Sequence, residues 1–218
     1  RMRGVFGLSF IALAAPAMAQ MPPPAASAPP IIVVATTPLP GTEIDADKVA
    51  GEVQTISVPE LSRDRHTDVI ANLVESQLGS VSVNDEQGSP YQPDLTFRGF
   101  RASPISGTAD GLAVYQNGVR LNESFGDNVN WDLIPEFAIN RLTVQSNNPV
   151  FGLNTLGGAL SIETKDGRSN PGTSVRVIYG SYDRKALEFE HGGAIAKGFN
   201  WYIAGNGLTE HGWRESSP

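Results

Sequence analysis

Apolar and polar residues alternate in short runs along the middle of the chain, within residues 43–165. Because successive side chains of a strand point to opposite faces, this alternation is typical of half-buried strands. The runs predict strands at residues 53–58, 81–83, 95–98, 139–145 and 160–164. The 23 Gly and 16 Pro residues of the chain also favour turns and strands over long helices.

Two local signals add a hairpin and a helix to these strands. Asn117-Gly118 lies between two β-prone runs within residues 114–121, and Asn-Gly favours a two-residue hairpin turn. A helix is expected to begin at Thr67 and Asp68 and to end near Gly79. Its apolar stripe consists of Val69, Ile70, Leu73, Val74 and Leu78. Residues 43–165 are therefore expected to form a compact α+β unit.

Three longer alternating runs follow, at residues 174–182, 185–191 and 199–208. Their length suits tilted membrane strands, but a soluble half-buried hairpin alternates in the same way, so the pattern leaves both open. In the second run, Leu187 and Phe189 share one face, and Glu188 and Glu190 share the other. A charge facing lipid near the membrane midplane costs ~2–4 kcal/mol. If these strands span a membrane, the two glutamates should therefore point inward.

The first 19 residues have the three parts of a signal peptide. Arg1 and Arg3 precede an apolar run, which ends before Ala17-Met18-Ala19, an Ala-x-Ala cleavage site. A membrane anchor is the alternative, but Pro16 interrupts the run well short of the ~20 apolar residues that a spanning helix needs. We therefore expect export, with Gln20 as the first residue of the mature protein. Because the chain begins with Arg1 instead of Met, we expect it to be part of a longer protein.

Residues 20–42 are predicted to be an extended tether. No charged residue occurs from Gly4 to Thr42, and eight of the 16 Pro lie between Pro16 and Pro40. Within this tether lies one β-prone aliphatic island, residues 31–37. The island is either the first strand of the following domain or a docking strand that adds to the edge of a partner's sheet.

Composition removes several classes of function. The net charge is −7, which disfavours a nucleic-acid binder, because phosphate binding needs a basic face. The absence of Cys excludes disulfides, thiolate metal sites and cysteine nucleophiles. The three His are far apart, and no nucleophile elbow, phosphate loop or metalloprotease motif occurs. We therefore expect neither an enzyme nor a cofactor or resident metal.

The order of these features resembles the TonB-dependent outer-membrane receptors: a signal peptide, a tether with a docking island, a small α+β domain, then amphipathic strands. Within the domain, Arg98-Gly99-Phe100 resembles the family's Arg-Gly-Phe/Met segment, and Leu156-Gly157-Gly158 resembles the segment that closes its plug domain. The whole resemblance covers residues 64–85, 95–100, 114–122, 133–144 and 151–165.

Three departures from the family pattern are visible. Ser146-Asn147-Asn148-Pro149 stands where Arg-Gly-Pro is common, which puts one plug contact in doubt. Asn117-Gly118 stands where Asp-Gly is usual, and the island lacks the acidic residue that often precedes it.

The resemblance implies an α+β plug domain, with a small mixed sheet and short helices, at residues 43–168. Residues 169–218 would be the first antiparallel strands of a transmembrane β-barrel. A barrel of ~22 strands with ~10 residues in each needs ~220 residues, so these 50 residues suffice for only about three strands. The chain is therefore expected to be the N-terminal fragment of a receptor in the outer membrane of a Gram-negative cell.

The implied function is active uptake of a scarce nutrient, most commonly a ferric siderophore or similar chelate. The implied partners are the periplasmic protein TonB, the small-molecule or metal-chelate substrate and outer-membrane lipid, with no nucleic acid. The alternative is a periplasmic plug-only interaction module, or a decayed fragment that does not transport.

The resemblance also suggests three groups of site residues. The strand that TonB binds, the TonB box near residues 31–36, comprises Ile31, Ile32, Val33, Val34 and Ala35. Loops on the substrate side contribute Tyr91, Gln92, Arg101 and Ser103, although ordinary turn chemistry explains these residues equally well. Pairing between plug and barrel wall would involve Arg98, Arg120 and Arg141, because buried Arg is usually paired.

Overall fold

The computed structural model describes residues 34–35, 44–45, 48–57, 78–84, 86–89, 91–108, 110–146, 148–152, 155–195 and 198–211. The whole predicted signal peptide lies outside these residues, as do the predicted tether apart from Val34 and Ala35 and nearly all of the predicted helix. Among the described residues, no helix has both the length and the apolar character needed to cross a membrane.

Strands dominate the described residues, joined by turns and by three single-turn 3₁₀ helices. The 3₁₀ helices are Trp131–Leu133, Glu136–Ala138 and Pro149–Phe151. The strands are β1 Val34–Ala35, β2 Ile44–Asp45, β3 Val53–Ser57, β4 Val81–Asn84, β5 Asp94–Phe97, β6 Phe100–Ala102, β7 Leu112–Gln116, β8 Val119–Arg120, β9 Ile139–Gln145, β10 Gly158–Thr164, β11 Gly172–Tyr179, β12 Lys185–Ala194 and β13 Asn200–Thr209.

The central element is a five-stranded mixed sheet with the order β3-β9-β10-β7-β8. Strands β10 and β7 are parallel, and the other neighbours are antiparallel. A mixed sheet fits the predicted plug fold. β3 lies at one edge of this sheet, whereas β10 lies in its interior with a partner on each side.

The larger part of the core lies on one face of the mixed sheet, where side chains of a second, three-stranded sheet, β4-β5-β6, also contribute to it. The central strands are buried on both faces, so their side chains form one large cluster and one small one. The large cluster is completed by Trp131, which is fully buried. The largest fully buried apolar side chains are Trp131, Phe97, Phe151, Leu95, Leu112, Ile139, Leu142, Leu160 and Ile162.

The predicted hairpin is confirmed. Asn117 and Gly118 form the turn between β7 and β8, with φ values of 49° and 81°. Two consecutive residues with positive φ define the turn that matches the twist of the flanking strands, which is why Asn-Gly is favoured there.

The strand predicted at residues 95–98 is wrong at its last position. Arg98 has a φ of 52° and, with Gly99 at 87°, forms the turn that joins β5 to β6. The β-prone run ends at Phe97, because Phe97 and Phe100 face each other across that turn. Strand β6 was not predicted, since only three residues belong to it.

A third sheet, β11-β12-β13, is fully antiparallel. The strands predicted at 174–182, 185–191 and 199–208 occur at 172–179, 185–194 and 200–209. The first predicted strand extends three residues beyond the end of β11, because Tyr182 and Asp183 take left-handed backbone conformations in the turn that follows.

The two faces of this third sheet differ as the alternation predicted. Cross-strand register places Val175 with Phe189 and Val177 with Leu187 on one face, and Arg176 with Glu188 on the other. The charged face lies toward the mixed sheet, since Glu190 pairs with Lys165, directly after β10, at 2.9 Å. The apolar face is exposed, with Val175, Val177, Tyr179, Leu187, Phe189 and Ile203.

Candidate functional site

The parallel pair β7 and β10 gives the mixed sheet two distinct ends. Both strands begin at the same end, where the backbone N–H of Gly157 donates to the carbonyl of Gly111 at 2.9 Å. We call this the loop end. At the other end Asn117 bonds to Thr164, after which Lys165 continues toward β11, so we call it the junction end.

The loop end is built from the described residues of two segments, 103–108 with 110–111 and 122–130, which hydrogen-bond to each other. The backbone N–H of Val129 donates to the carbonyl of Ser103 at 2.8 Å, and the Asn128 amide donates to the Ser106 hydroxyl at 2.7 Å. Buried Asn122 accepts from the Val114 N–H at 2.7 Å and donates to the Leu112 carbonyl at 3.2 Å. Its side chain thus extends the pairing of β7 beyond the short strand β8.

Two of the predicted substrate-side residues, Arg101 and Ser103, lie at this loop end. The Arg101 guanidinium is 3.1 Å from the carboxylate of Asp94 and 3.4 Å from that of Glu86. Ser103 is fully buried, and its hydroxyl accepts from the N–H of Ile105 at 3.1 Å. In this conformation Ser103 holds the loop in shape, and ligand contact stays a prediction for both residues.

The other two predicted residues, Tyr91 and Gln92, lie in a separate loop before β5. Tyr91 packs against the large core cluster, and the Gln92 amide donates to the carboxylate of Asp132 at 2.7 Å. Their contact with substrate likewise stays a prediction.

Carboxylates at the loop end have raised pKa values. Burial raises the pKa of Asp110 to about 6, against the hydrogen bond from Thr108, and the charges of Asp127 and Asp94 raise it further. Burial also raises the pKa of Asp94, while Ser103 and the charge of Arg101 oppose this rise. The loop end therefore carries carboxylates that bind protons more readily than ordinary Asp.

Sequence reasoning missed an exposed aromatic residue at the loop end. Phe125 is 93% exposed, although the loop that carries it is well fixed. Arg120 pairs with Asp127 at 2.9 Å, and the N–H of Glu123 donates to the Asn128 carbonyl at 2.9 Å. The available signal was an apolar residue between polar residues and Gly126, but such a pattern is common in loops.

The three arginines predicted to meet barrel-wall acids bind carboxylates near them in the domain. Arg98 pairs with Glu52, and Arg120 pairs with Asp127. Arg141 binds Glu163 on the neighbouring strand β10 through two nitrogens, at 2.7 Å and 3.1 Å. Pairing with acids of a barrel wall stays a prediction.

The predicted TonB-binding strand is only partly described. Val34 and Ala35 form β1, which pairs antiparallel with Ile44 and Asp45 of β2, whereas Ile31, Ile32 and Val33 lie outside the described residues. The extended backbone at Val34 and Ala35 is the conformation that strand addition uses. Across the described part of the chain, no cluster of His, Asp and Glu is suited to holding a metal ion.

Comparison with known proteins adds a family match. Residues 45–159 match the model of the TonB-dependent Receptor Plug Domain, which is more than half of the chain. No curated protein matches the chain.

Solved structures share the fold at low sequence identity. The ferripyoverdine receptor of the outer membrane of Pseudomonas aeruginosa is 13% identical over 82% of this chain, with a TM-score of 0.57. The alcaligin outer-membrane receptor FauA from Bordetella pertussis is 12% identical over 82%, with a TM-score of 0.56. The copper transporter OprC is 16% identical over 72%, with a TM-score of 0.55. The matches cover only 23%, 29% and 24% of those three chains, in the same order.

Proposed function

Because the chain belongs to the family of TonB-dependent receptor plug domains, we propose that it is the N-terminal part of an outer-membrane receptor. This receptor takes up a scarce nutrient with energy delivered mechanically through TonB, since the outer membrane has no ATP of its own. The observation that carries the proposal is the family match, whose span contains most of the mixed sheet.

The third sheet favours a receptor over a plug-only periplasmic module. Val175, Val177 and Ile203 are each more than half exposed on its apolar face. Contact with lipid explains this face, because apolar side chains that face the bilayer are favourable, whereas the charged face with Glu188 and Glu190 stays away from it. In a module surrounded by water, the same apolar face would be exposed to solvent, which is energetically unfavourable.

We propose the domain division on the same basis. Residues 1–19 are the signal peptide, 20–42 the tether with its TonB box, 43–168 the plug and 169–218 the first barrel strands. The receptor is then located in the outer membrane.

The cargo is proposed to be a ferric siderophore or a similar chelate. Two of the matched structures are named as receptors for ferripyoverdine and alcaligin, and the third as a copper transporter, which supports a metal-containing cargo. The loop end would meet this cargo through Arg101 and Ser103, and the separate loop before β5 would meet it through Tyr91 and Gln92.

TonB is proposed to bind Ile31, Ile32, Val33, Val34 and Ala35 by adding a strand. Main-chain hydrogen bonds would provide the affinity, and a Pro-rich tether keeps the strand accessible. Val33→Pro removes a backbone donor and should abolish retention of the mature chain by the C-terminal domain of TonB in a pull-down.

Ser27→Pro is the matched control, because it adds one proline to the same tether but leaves the island intact. It should be retained like the wild type. Retention of Val33→Pro at the wild-type level would show that this strand is not what TonB binds.

A further inference from the structure

The junction end contains a partly buried ion pair that joins the mixed sheet to the third sheet. Lys165, directly after β10, is 5% exposed in its side chain, and its ammonium group lies 2.9 Å from the carboxylate of Glu190 on β12. The same carboxylate oxygen accepts a hydrogen bond from the hydroxyl of Tyr202 on β13 at 2.5 Å. One carboxylate thus connects the end of β10 to two strands of the third sheet.

The backbone after Lys165 fits closely against the same two strands. Asp166 holds a tight turn by accepting from the N–H groups of Arg168 and Ser169 at 2.7 Å and 3.0 Å. A methyl group on Gly167 would overlap the carbonyl oxygen of Trp201, and one on Gly192 would overlap that of Asn170. The turn therefore lies in a notch that only glycines leave open.

The strand nearest to the TonB-binding segment is attached less firmly than β10. Beyond the short pair β1-β2, the chain leads to β3, the earliest strand of the mixed sheet in chain order and one at its edge. An edge strand is held by one neighbour, β9, whereas β10 is held by β9 and β7 and by the contacts at the junction. A force applied at residues 31–35 thus meets the less connected strand first.

We propose that Lys165, Glu190 and Tyr202, with the turn in its glycine notch, form a junction latch. This latch keeps β10 attached to the third sheet, the start of the proposed barrel wall, while TonB pulls. Pulling then frees β3 and leaves β10 and β7 in place, so the route for cargo opens on the β3 side of the plug. This inference rests on the proposed function. The three side chains are positioning residues of transport, since they hold the plug and do not touch cargo.

Cysteine labelling in cells tests the latch, because the chain contains no Cys of its own. In the receptor that contains this chain, Ile56→Cys reports on β3 and Ser161→Cys reports on β10, two positions that are 2% and 5% exposed. With cargo present, a maleimide should label Ile56→Cys only in cells that have TonB. Ser161→Cys should stay unlabelled with or without TonB.

Glu190→Gln should release β10 under load. Labelling of Ser161→Cys should then rise about tenfold in cells with TonB, the change in an opening equilibrium expected when one charge-assisted hydrogen bond is lost. It should not rise in cells without TonB, whereas a general loss of stability would raise labelling in both. Tyr202→Phe, which removes a single hydroxyl, provides the same test if Glu190→Gln accumulates poorly.

Two controls complete the design. Lys185→Met removes an exposed lysine from the same sheet and should leave labelling unchanged. Lys165→Glu combined with Glu190→Lys restores the pair with its charges exchanged and should suppress the labelling that Glu190→Gln causes.

Two results overturn the latch alone: TonB-dependent labelling of Ser161→Cys in the otherwise unaltered receptor, or its absence in both Glu190→Gln and Tyr202→Phe. Labelling of Ile56→Cys that does not depend on TonB would overturn the proposed function, and the latch with it.

Discussion

At the residue scale, the carboxylates of the loop end make the stability of the fold depend on pH. The pKa of Asp110 rises from 3.8 to about 6, chiefly because the group is buried. The folded protein therefore binds more protons than the unfolded chain between these two values. The free energy of unfolding that Asp110 contributes is highest below its ordinary pKa and is lost as the pH rises through about 6. Asp94, whose pKa burial also raises, acts in the same direction.

Asp110→Asn should therefore raise the thermal stability of the purified chain at pH 7.5 and have little effect near pH 4. Asn keeps the oxygen that accepts from the Thr108 hydroxyl and carries no charge at either pH. Thermal unfolding of wild type and variant across this pH range measures the difference. An equal gain in melting temperature at both pH values would show that ionisation of Asp110 is not its cause.

Residue identity predicted one turn of the plug and missed another. Asn117-Gly118 was predictable because a positive φ at two successive positions is costly for most side chains, so the dipeptide itself specifies the turn. Arg98 also has a positive φ, but Arg has no such preference, so its turn was not predictable. The partners of Arg98 and Arg141, Glu52 and Glu163, depend on pairing between strands.

At the element scale, the alternation of apolar and polar residues predicted where the strands lie but not which strands pair with each other. β9 lies where it was predicted, because a period of two residues is a local signal. The parallel pairing of β7 with β10 joins residues more than 40 positions apart, such as Leu112 with Gly158, and no local pattern encodes it. Both ends of the plug, and with them the candidate site and the junction, follow from that pairing.

The glycine notch gives a prediction for the element that joins plug to wall. Gly192→Ala should prevent the turn at residues 166–170 from packing against β12, since the added methyl group would overlap the Asn170 carbonyl. Gly205→Ala, in the adjacent strand β13, is the control, because a methyl group there meets nothing within 4 Å. The amount of folded receptor in the outer membrane should fall for Gly192→Ala and stay at the wild-type level for Gly205→Ala. Equal amounts of the two variants would argue against close packing at the notch.

At the scale of the whole molecule, three features point to one arrangement. An uncharged, Pro-rich tether precedes the plug, the mixed sheet forms its body, and a sheet with one apolar and one charged face follows it. The charged face contacts the plug through the pair of Glu190 and Lys165, and the apolar face is the one that is proposed to contact lipid. This order places the strand that TonB would bind and the joint that would resist the pull at opposite ends of the domain sequence.

The most direct test of this account is uptake of a radiolabelled ferric siderophore by cells that carry the receptor containing this chain as their only receptor for that compound. Accumulation should require TonB and should be lost in Val33→Pro, while binding of the compound to the cell surface is unchanged in both cases. Accumulation that continues at the same rate in cells without TonB would contradict the account.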